Sequence, residues 1–337
     1  MHKPIPSKAK AISKAKTTNA SFKTLVQQGA KQLRMSRGDM KKFNALTGEK
    51  KYINFLPASD FDGRLKSSLL LIHLMARHRK KSANKGRRYV FLTFTGEWGN
   101  TLDRKPEVNV AALRRQCDKA IRSIKLHAIA VIEVQAIINY PAHGHGRTLM
   151  FHVHAIGWTY DPNFRAAAAA RQLNASRAWH SLMTTKPVVL RPINEGDGHI
   201  EYLAYYISKL PSDAKNRTSD ANRPGGYTLK KTTRGYRPEL ALRIFEGLSQ
   251  RSIYDLVFAV GEGKLVRRMW RKRLDKWMQS RASAGQTVQP EQVAKFWARV
   301  RRSRGSRHFQ PYVWLDGARR PATVHKHPPS PPQAPAE

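Results

Sequence analysis

The sequence predicts a mixed α+β fold. Three observations carry that expectation: short runs rich in β-branched and aromatic residues, segments with helical spacing between them, and a turn-rich break separating two long runs. Residues 89–95, Tyr-Val-Phe-Leu-Thr-Phe-Thr, form the first predicted strand. Residues 106–125 follow as a helix opened by Pro106, with Val108, Leu113, Cys117, Ile121 and Ile124 near helical spacing. A long strand runs from Ala128 to about Asn139. The segment Pro-Ala-His-Gly-His-Gly at 141–146 supplies turn residues, and residues 148–158 resume as a strand, so the pair reads as an antiparallel hairpin.

Asp161-Pro162 has the form of an N-cap followed by proline at the first helical position, opening an alanine-rich helix to about Met183. Pro187-Val-Val-Leu190 is a short last strand. In order these elements give β-α-β-β-α-β, a ferredoxin-like antiparallel sheet with helices on one face and the other face open for a site. A C-terminal helical extension is expected beyond it. Val266, Trp270, Leu274 and Trp277 form an apolar stripe among basic residues, and residues 290–302 form a second helix beside it.

The chain therefore divides by composition. Residues 1–50 form a basic N-terminal arm, unstructured at its start, because residues 1–38 hold seven Lys, two Arg and no acid. The main domain spans 51–212, a polar basic linker or loop 213–236, a helical basic region 237–318, and a proline-rich tail 319–337.

Charge narrows the partner. The 62 Lys and Arg against 23 Asp and Glu leave a formal net charge of +39 over 337 residues, which calls for a polyanion. Nucleic acid fits best, because each phosphate neutralised by a cation releases condensed counterions. No apolar run approaches a membrane span, and the N-terminus lacks the apolar segment of a secretory signal, so the expectation is a cytoplasmic, DNA-associated protein. The single cysteine, Cys117, excludes an internal disulfide and reads as a structural thiol. Gly261-Glu-Gly-Lys264 lacks the spacing of a P-loop, so any strand unwinding falls to a separate helicase.

Two segments can carry chemistry. In Phe151-His-Val-His154, strand alternation sends His152 and His154 to one face, where two imidazoles can converge on one metal ion. A hairpin turning symmetrically about His143 and Gly144 places Glu133 across from His154, making a two-His, one-carboxylate set, with Gln135 on the same face. His143 and His145 are rival ligands in the turn. In Glu201-Tyr-Leu-Ala-Tyr-Tyr-Ile-Ser-Lys209, capped by Asp197, Ile200, Leu203, Ile207 and Leu210 form one helical stripe, with Tyr202, Tyr205, Tyr206 and Lys209 opposite. A phenol ionises near ~10, so a tyrosine nucleophile needs a neighbouring cation or a polarised electrophile; Lys209 is the candidate cation.

Taken together and in order, Phe91-Leu-Thr-Phe-Thr95, His152-Val-His154 and Tyr202-Leu-Ala-Tyr-Tyr-Ile-Ser-Lys209 resemble the three motifs of rolling-circle replication initiators of the HUH endonuclease superfamily. The resemblance covers residues 85–212. It implies His152 and His154 as metal ligands, Tyr206 as main nucleophile and Tyr202 as the second tyrosine of a Tyr-x-x-x-Tyr pair. The motifs commonly show lysine where this chain has Tyr205, so the choice between Tyr205 and Tyr206 stays open at this point. The third ligand varies in the family, and Glu133 rests on the hairpin geometry alone.

The implied cofactor is a divalent ion, Mg or Mn, and the implied reaction leaves a 5′-phosphotyrosine link and a free 3′ hydroxyl. Single-stranded or extruded origin DNA of a plasmid or phage would be the substrate, with a host helicase and polymerase as partners. Other readings are a rolling-circle transposase of the same superfamily, a non-enzymatic nucleic-acid binder, and a non-haem iron enzyme, which the basic charge and the tyrosine helix disfavour.

Overall fold

The computed structural model describes residues 7–80, 86–103, 106–142, 145–176, 178–179, 186–193, 199–211, 213–220, 222, 227–232, 235–282, 287–303, 312–315 and 318–321. In chain order the elements are α1 (Lys8–Gln32), α2 (Arg37–Asn44) running into a π-type turn, α3 (Phe61–Lys80), β1 (Arg88–Phe94), β2 (Asn100–Leu102), α4 (Val110–Ser123), β3 (His127–Ala142) and β4 (His145–Thr159). Then come α5 (Ala166–Asn174), β5 (Val188–Pro192), α6 (His199–Ser208), β6 (Lys215–Ser219), β7 (Tyr227–Lys231), α7 (Pro238–Ser249) and the single turn α8 (Ile253–Leu256). The last are β8 (Val257–Val260), α9 (Gly263–Gln279), α10 (Pro290–Ser303) and the small ribbon β9 (Tyr312–Leu315) with β10 (Ala318–Pro321).

The architecture is mixed α+β around one eight-stranded sheet, ordered β5-β1-β4-β3-β6-β7, with β2 added to β4 and β8 to β3. The four strands read from the sequence are all present, and their neighbours pair antiparallel. Along the outer edge of β3, β8 pairs with residues 128–131 and β6 with 137–138. Between those two partners, residues 132–136 have no strand beside them among the described residues, and Glu133 lies in that gap.

Several expectations are corrected. Residues 8–32 are no loose arm but a 25-residue helix capped by Ser7, whose side chain accepts from the Lys10 amide. Ala11, Ala15, Phe22, Val26 and Ala30 recur at near-helical spacing and are buried against α7, α3 and α6, while the lysines take the outer side. Small alanines on the buried side made that stripe faint beside the charge.

The predicted linker at 213–236 contains the β6–β7 hairpin, which borrows its order from the edge of β3. The helical region after 237 is not an appendage: β8 joins the sheet, and one continuous core runs from Ala11 to Val300. Its helix α10 seats Trp297 on α7, donating from Nε1 to Ser249 Oγ at 2.7 Å. The buried stripe of α9 ends on Met278 and leaves Trp277 only partly buried.

Helix starts also differ. Asn109, not Pro106, caps α4 by accepting from the Ala112 amide. Asp161 accepts from the Asn163 amide in a turn, and α5 begins only at Ala166. That helix ends at Asn174, whose side chain bonds both backbone groups of Val188 and so stitches the helix end to β5. Pro321 closes β10; the remainder of the expected tail lies outside the described residues.

The Gly261–Lys264 turn has a purely steric explanation. Gly261 sits at φ +55°, and a Cβ on Gly263 would stand 1.9 Å from the Ala128 carbonyl oxygen, so both positions let α9 start tight against β3.

Helices do not occupy one face only. On the side bearing the His pair, α6 lies against β3 and β4, and His78 of α3 packs on Trp158 and Tyr89. Among the described residues, this face is left partly uncovered over β1 and β5, where Phe91, Thr93 and Val189 are half-buried and Arg191 is exposed. No helix among the described residues is long and apolar enough to cross a membrane.

A candidate metal centre beside a tyrosine helix

The site is built by the β3–β4 hairpin. At its tip Ala142 pairs with His145, as a symmetric turn requires, but by Ile138 the partner is Arg147. Three residues of β3 (139–141) thus face one of β4 (146), so β3 carries two extra residues in a bulge. Asn139 adopts φ 60° there, and its amide donates to Asn216 Oδ1 of β6.

The consequence is that Glu133 pairs with His152, not with His154, which faces Val131. This corrects the expected register. Because the slip is even, Glu133 keeps the face of the two histidines; a one-residue slip would have turned it away.

Glu133, His152 and His154 are all buried, and one ligand atom from each lies within 4.8 Å of the others. Glu133 Oε2 is 3.8 Å from His152 Nε2 and 3.4 Å from His154 Nε2, and the two Nε2 atoms are 3.0 Å apart. His152 Nδ1 lies 3.3 Å from the Met150 carbonyl, which fixes the proton on Nδ1 and leaves Nε2 as the ligand atom. Thr93 Oγ1 is 2.9 Å from His154 Nδ1 and orients the second ring.

Burial lowers the pKa of both imidazoles. His154 falls well below its ordinary value, with His152 and the Lys209 cation adding to burial, and at His152 the Glu133 charge opposes the shift. Neutral imidazoles whose Nε2 atoms converge beside a carboxylate fit a divalent ion, with positions left for other ligands. These three residues could therefore hold a metal ion.

Helix α6 brings the tyrosines. Ser208 bonds Ser68 of α3 at 2.8 Å, and Arg64 of α3 donates to the Lys209 carbonyl at 3.2 Å, pinning the helix end. The Tyr206 ring stands 5.2 Å from that of His154 and 5.7 Å, edge-on, from Phe91. Lys209 Nζ sits 5.0 Å over the Tyr206 ring and donates to Glu133 Oε1 at 2.6 Å. Burial raises the Tyr206 pKa and the Glu133 charge adds to it, while Lys209 and Arg191 pull the other way.

Tyr205 does not share the exposed face. It is buried, and its hydroxyl pairs with Thr18 Oγ1 of α1 at 2.9 Å. The buried stripe of α6 is Ile200, Ala204 and Ile207 together with Glu201, Tyr205 and Ser208, while Leu203 is only partly buried. The reason is α1, which packs on α6 from the side the sequence left to solvent. Tyr202 remains partly exposed, with Lys14 of α1 over its ring at 5.7 Å.

Glu133, His152, His154, Tyr202, Tyr205, Tyr206 and Lys209 line one cleft of about 490 Å³, with Thr93, Thr95 and Gln135 on its walls and Lys14, Lys215 and Lys231 among its cations. Lys14, Arg64 and Arg191 carried no sequence signal, since nothing local distinguishes them from the other basic residues. Burial pushes the Arg64 guanidinium down to about 10 against the attraction of Glu133. His143, the His145 side chain and Asp197 lie outside the described residues.

Comparison with known proteins returns no matching family model, no similar curated protein and no similar solved structure. The site must be read from its own geometry.

Proposed function

We propose that this chain is a metal-dependent DNA strand-nicking and strand-transferring enzyme of the HUH endonuclease kind, one that initiates rolling-circle replication. The observation that carries the reading is the meeting of His152, His154 and Glu133 at one point with the Tyr206 ring 5.2 Å from His154. The strand order β5-β1-β4-β3, with α4 and α5 as crossovers, supports the finer ferredoxin-like reading of the fold. The charge of +39 supports a nucleic-acid substrate.

In this reading His152, His154 and Glu133 hold a Mg or Mn ion. When bound, that ion supplies Lewis-acid polarisation of a phosphate oxygen. Tyr206 Oη attacks the phosphorus in line, forming an O–P bond as the bond to the 3′ oxygen breaks. The phenol proton passes to water, and the departing 3′ oxygen takes one up. The products are a 5′-phosphotyrosine ester, which keeps the bond energy for rejoining, and a 3′ hydroxyl for a host polymerase. Lys209 sets the Glu133 carboxylate and places a cation beside the Tyr206 ring. Tyr202, one turn earlier in the same cleft, serves the second transfer. The strand enters unpaired, because a duplex cannot reach such a cleft, and a separate helicase opens it.

The test is incubation with supercoiled plasmids and single-stranded oligonucleotides carrying candidate origins, with Mn, with Mg or with chelator. A metal-dependent nick with Tyr206 esterified, read by mass spectrometry, is expected. Tight DNA binding with no cleavage under any metal would instead make the chain a binding protein.

A further inference from the structure

On β1 and β5 the inward residues Val90, Leu92, Phe94, Val188 and Leu190 are buried, while Phe91, Thr93 and Val189 on the other side are only partly covered and Arg191 is exposed. This is the half of the His-bearing face that α3 and α6 leave bare. Phe91 pairs with Arg191 and Thr93 with Val189, so all four side chains share that face.

A lone exposed aromatic is ordinary. Here three features coincide with it. The Phe91 ring stacks on His154 at 5.3 Å and meets Tyr206 edge-on, so the strip begins at the site itself. Thr93 and Thr95 line the cleft, making the strip continuous with it. Arg191 makes no hydrogen bond or ion pair among the described residues.

We infer that the β1–β5 strip is the bed of the substrate strand beside the scissile phosphate, with Phe91 stacking one base and Arg191 holding the adjoining backbone phosphate. The inference rests on the nicking reading above. It deepens it by naming where the strand lies. Aromatic faces accept any base, and a planar guanidinium fits a phosphate in two-point contact, so the strip binds without reading sequence. Neither residue is a catalytic residue; both position the strand.

The experiment keeps the protein metal-free with chelator, so that the strand is bound but not cut, and uses a short single-stranded oligonucleotide with 2-aminopurine at successive positions. One position should be quenched on binding. Phe91→Leu, which keeps apolar bulk, should abolish that quench and weaken binding roughly five- to a hundred-fold, while Phe91→Trp restores both. Arg191→Gln should lower the slope of log affinity against log salt by about one.

Wild-type quench and salt slope in both Phe91→Leu and Arg191→Gln would overturn the inference, even if the wild type nicks normally. No binding and no nicking by the wild type would remove the nicking reading and the strand bed with it. The two failures are thus distinguishable.

Discussion

Lys209 grips Glu133: its Nζ donates to Oε1 at 2.6 Å, leaving Oε2 turned to the two imidazoles. Burial works against the Lys209 charge, but attraction to Glu133 and that hydrogen bond outweigh it and raise the lysine's pKa. A permanent cation so close must repel a divalent ion. Lys209→Met should therefore tighten Mn binding by about ten-fold while slowing nicking, both measured on the same preparation by titration calorimetry and plasmid relaxation. Unchanged Mn affinity would mean that the lysine charge is not felt at the ligands.

His152→Ala and His154→Ala should each abolish metal-dependent nicking and keep the wild-type far-UV circular dichroism. Glu133→Ala should weaken metal affinity more than DNA affinity. An unaltered metal titration for Glu133→Ala would move the third ligand to Gln135, which lines the same cleft.

The tyrosines separate by their contacts. Tyr206→Phe should eliminate the covalent adduct on a single-stranded origin oligonucleotide, and Tyr202→Phe should make the first adduct yet fail to release closed circles. Tyr205→Phe should keep the adduct but lose about 1 kcal/mol of stability with its bond to Thr18. Adduct mapping by mass spectrometry checks all three, and an ester on Tyr205 would overturn the assignment.

Helix α1 belongs to the core, so its removal is a folding lesion as well as a loss of charge. Phe22 is 2 % exposed and packs on Phe61 and Tyr236. Phe22→Ala should cost about 3–5 kcal/mol in urea unfolding, and deletion of residues 1–38 should expose the core. A cooperative transition unchanged by either would detach α1 from the fold.

Tyr140 supplies the pH dependence. Burial, with Tyr227 adding and Arg217 opposing, pushes its folded-state pKa up to about 12, whereas an unfolded tyrosine ionises near ~10. The stability held by the neutral phenol is intact below pH ~10. It is lost as pH rises toward ~12, because the unfolded chain releases its proton first. Denaturant titrations across that window should fall more steeply for wild type than for Tyr140→Phe.

The pattern of the residues was enough to find the four central strands, the His pair on one face and the tyrosine helix, because alternation and helical spacing are local properties that a single chain displays. It also named Glu133, though with the wrong partner. What decided that partner was a two-residue bulge near Asn139, held by a contact to Asn216 some 77 positions away. The same holds for Tyr205, whose exposure depended on whether α1 docks on α6, and for β6 and β7, which pair with each other and join the sheet where β6 meets Ile137 and Ile138 of β3. Arg191, Lys14 and Arg64 were indistinguishable from the other cations in a chain of 62 Lys and Arg. Composition records how much positive charge there is, and only tertiary packing decides which of it faces the site.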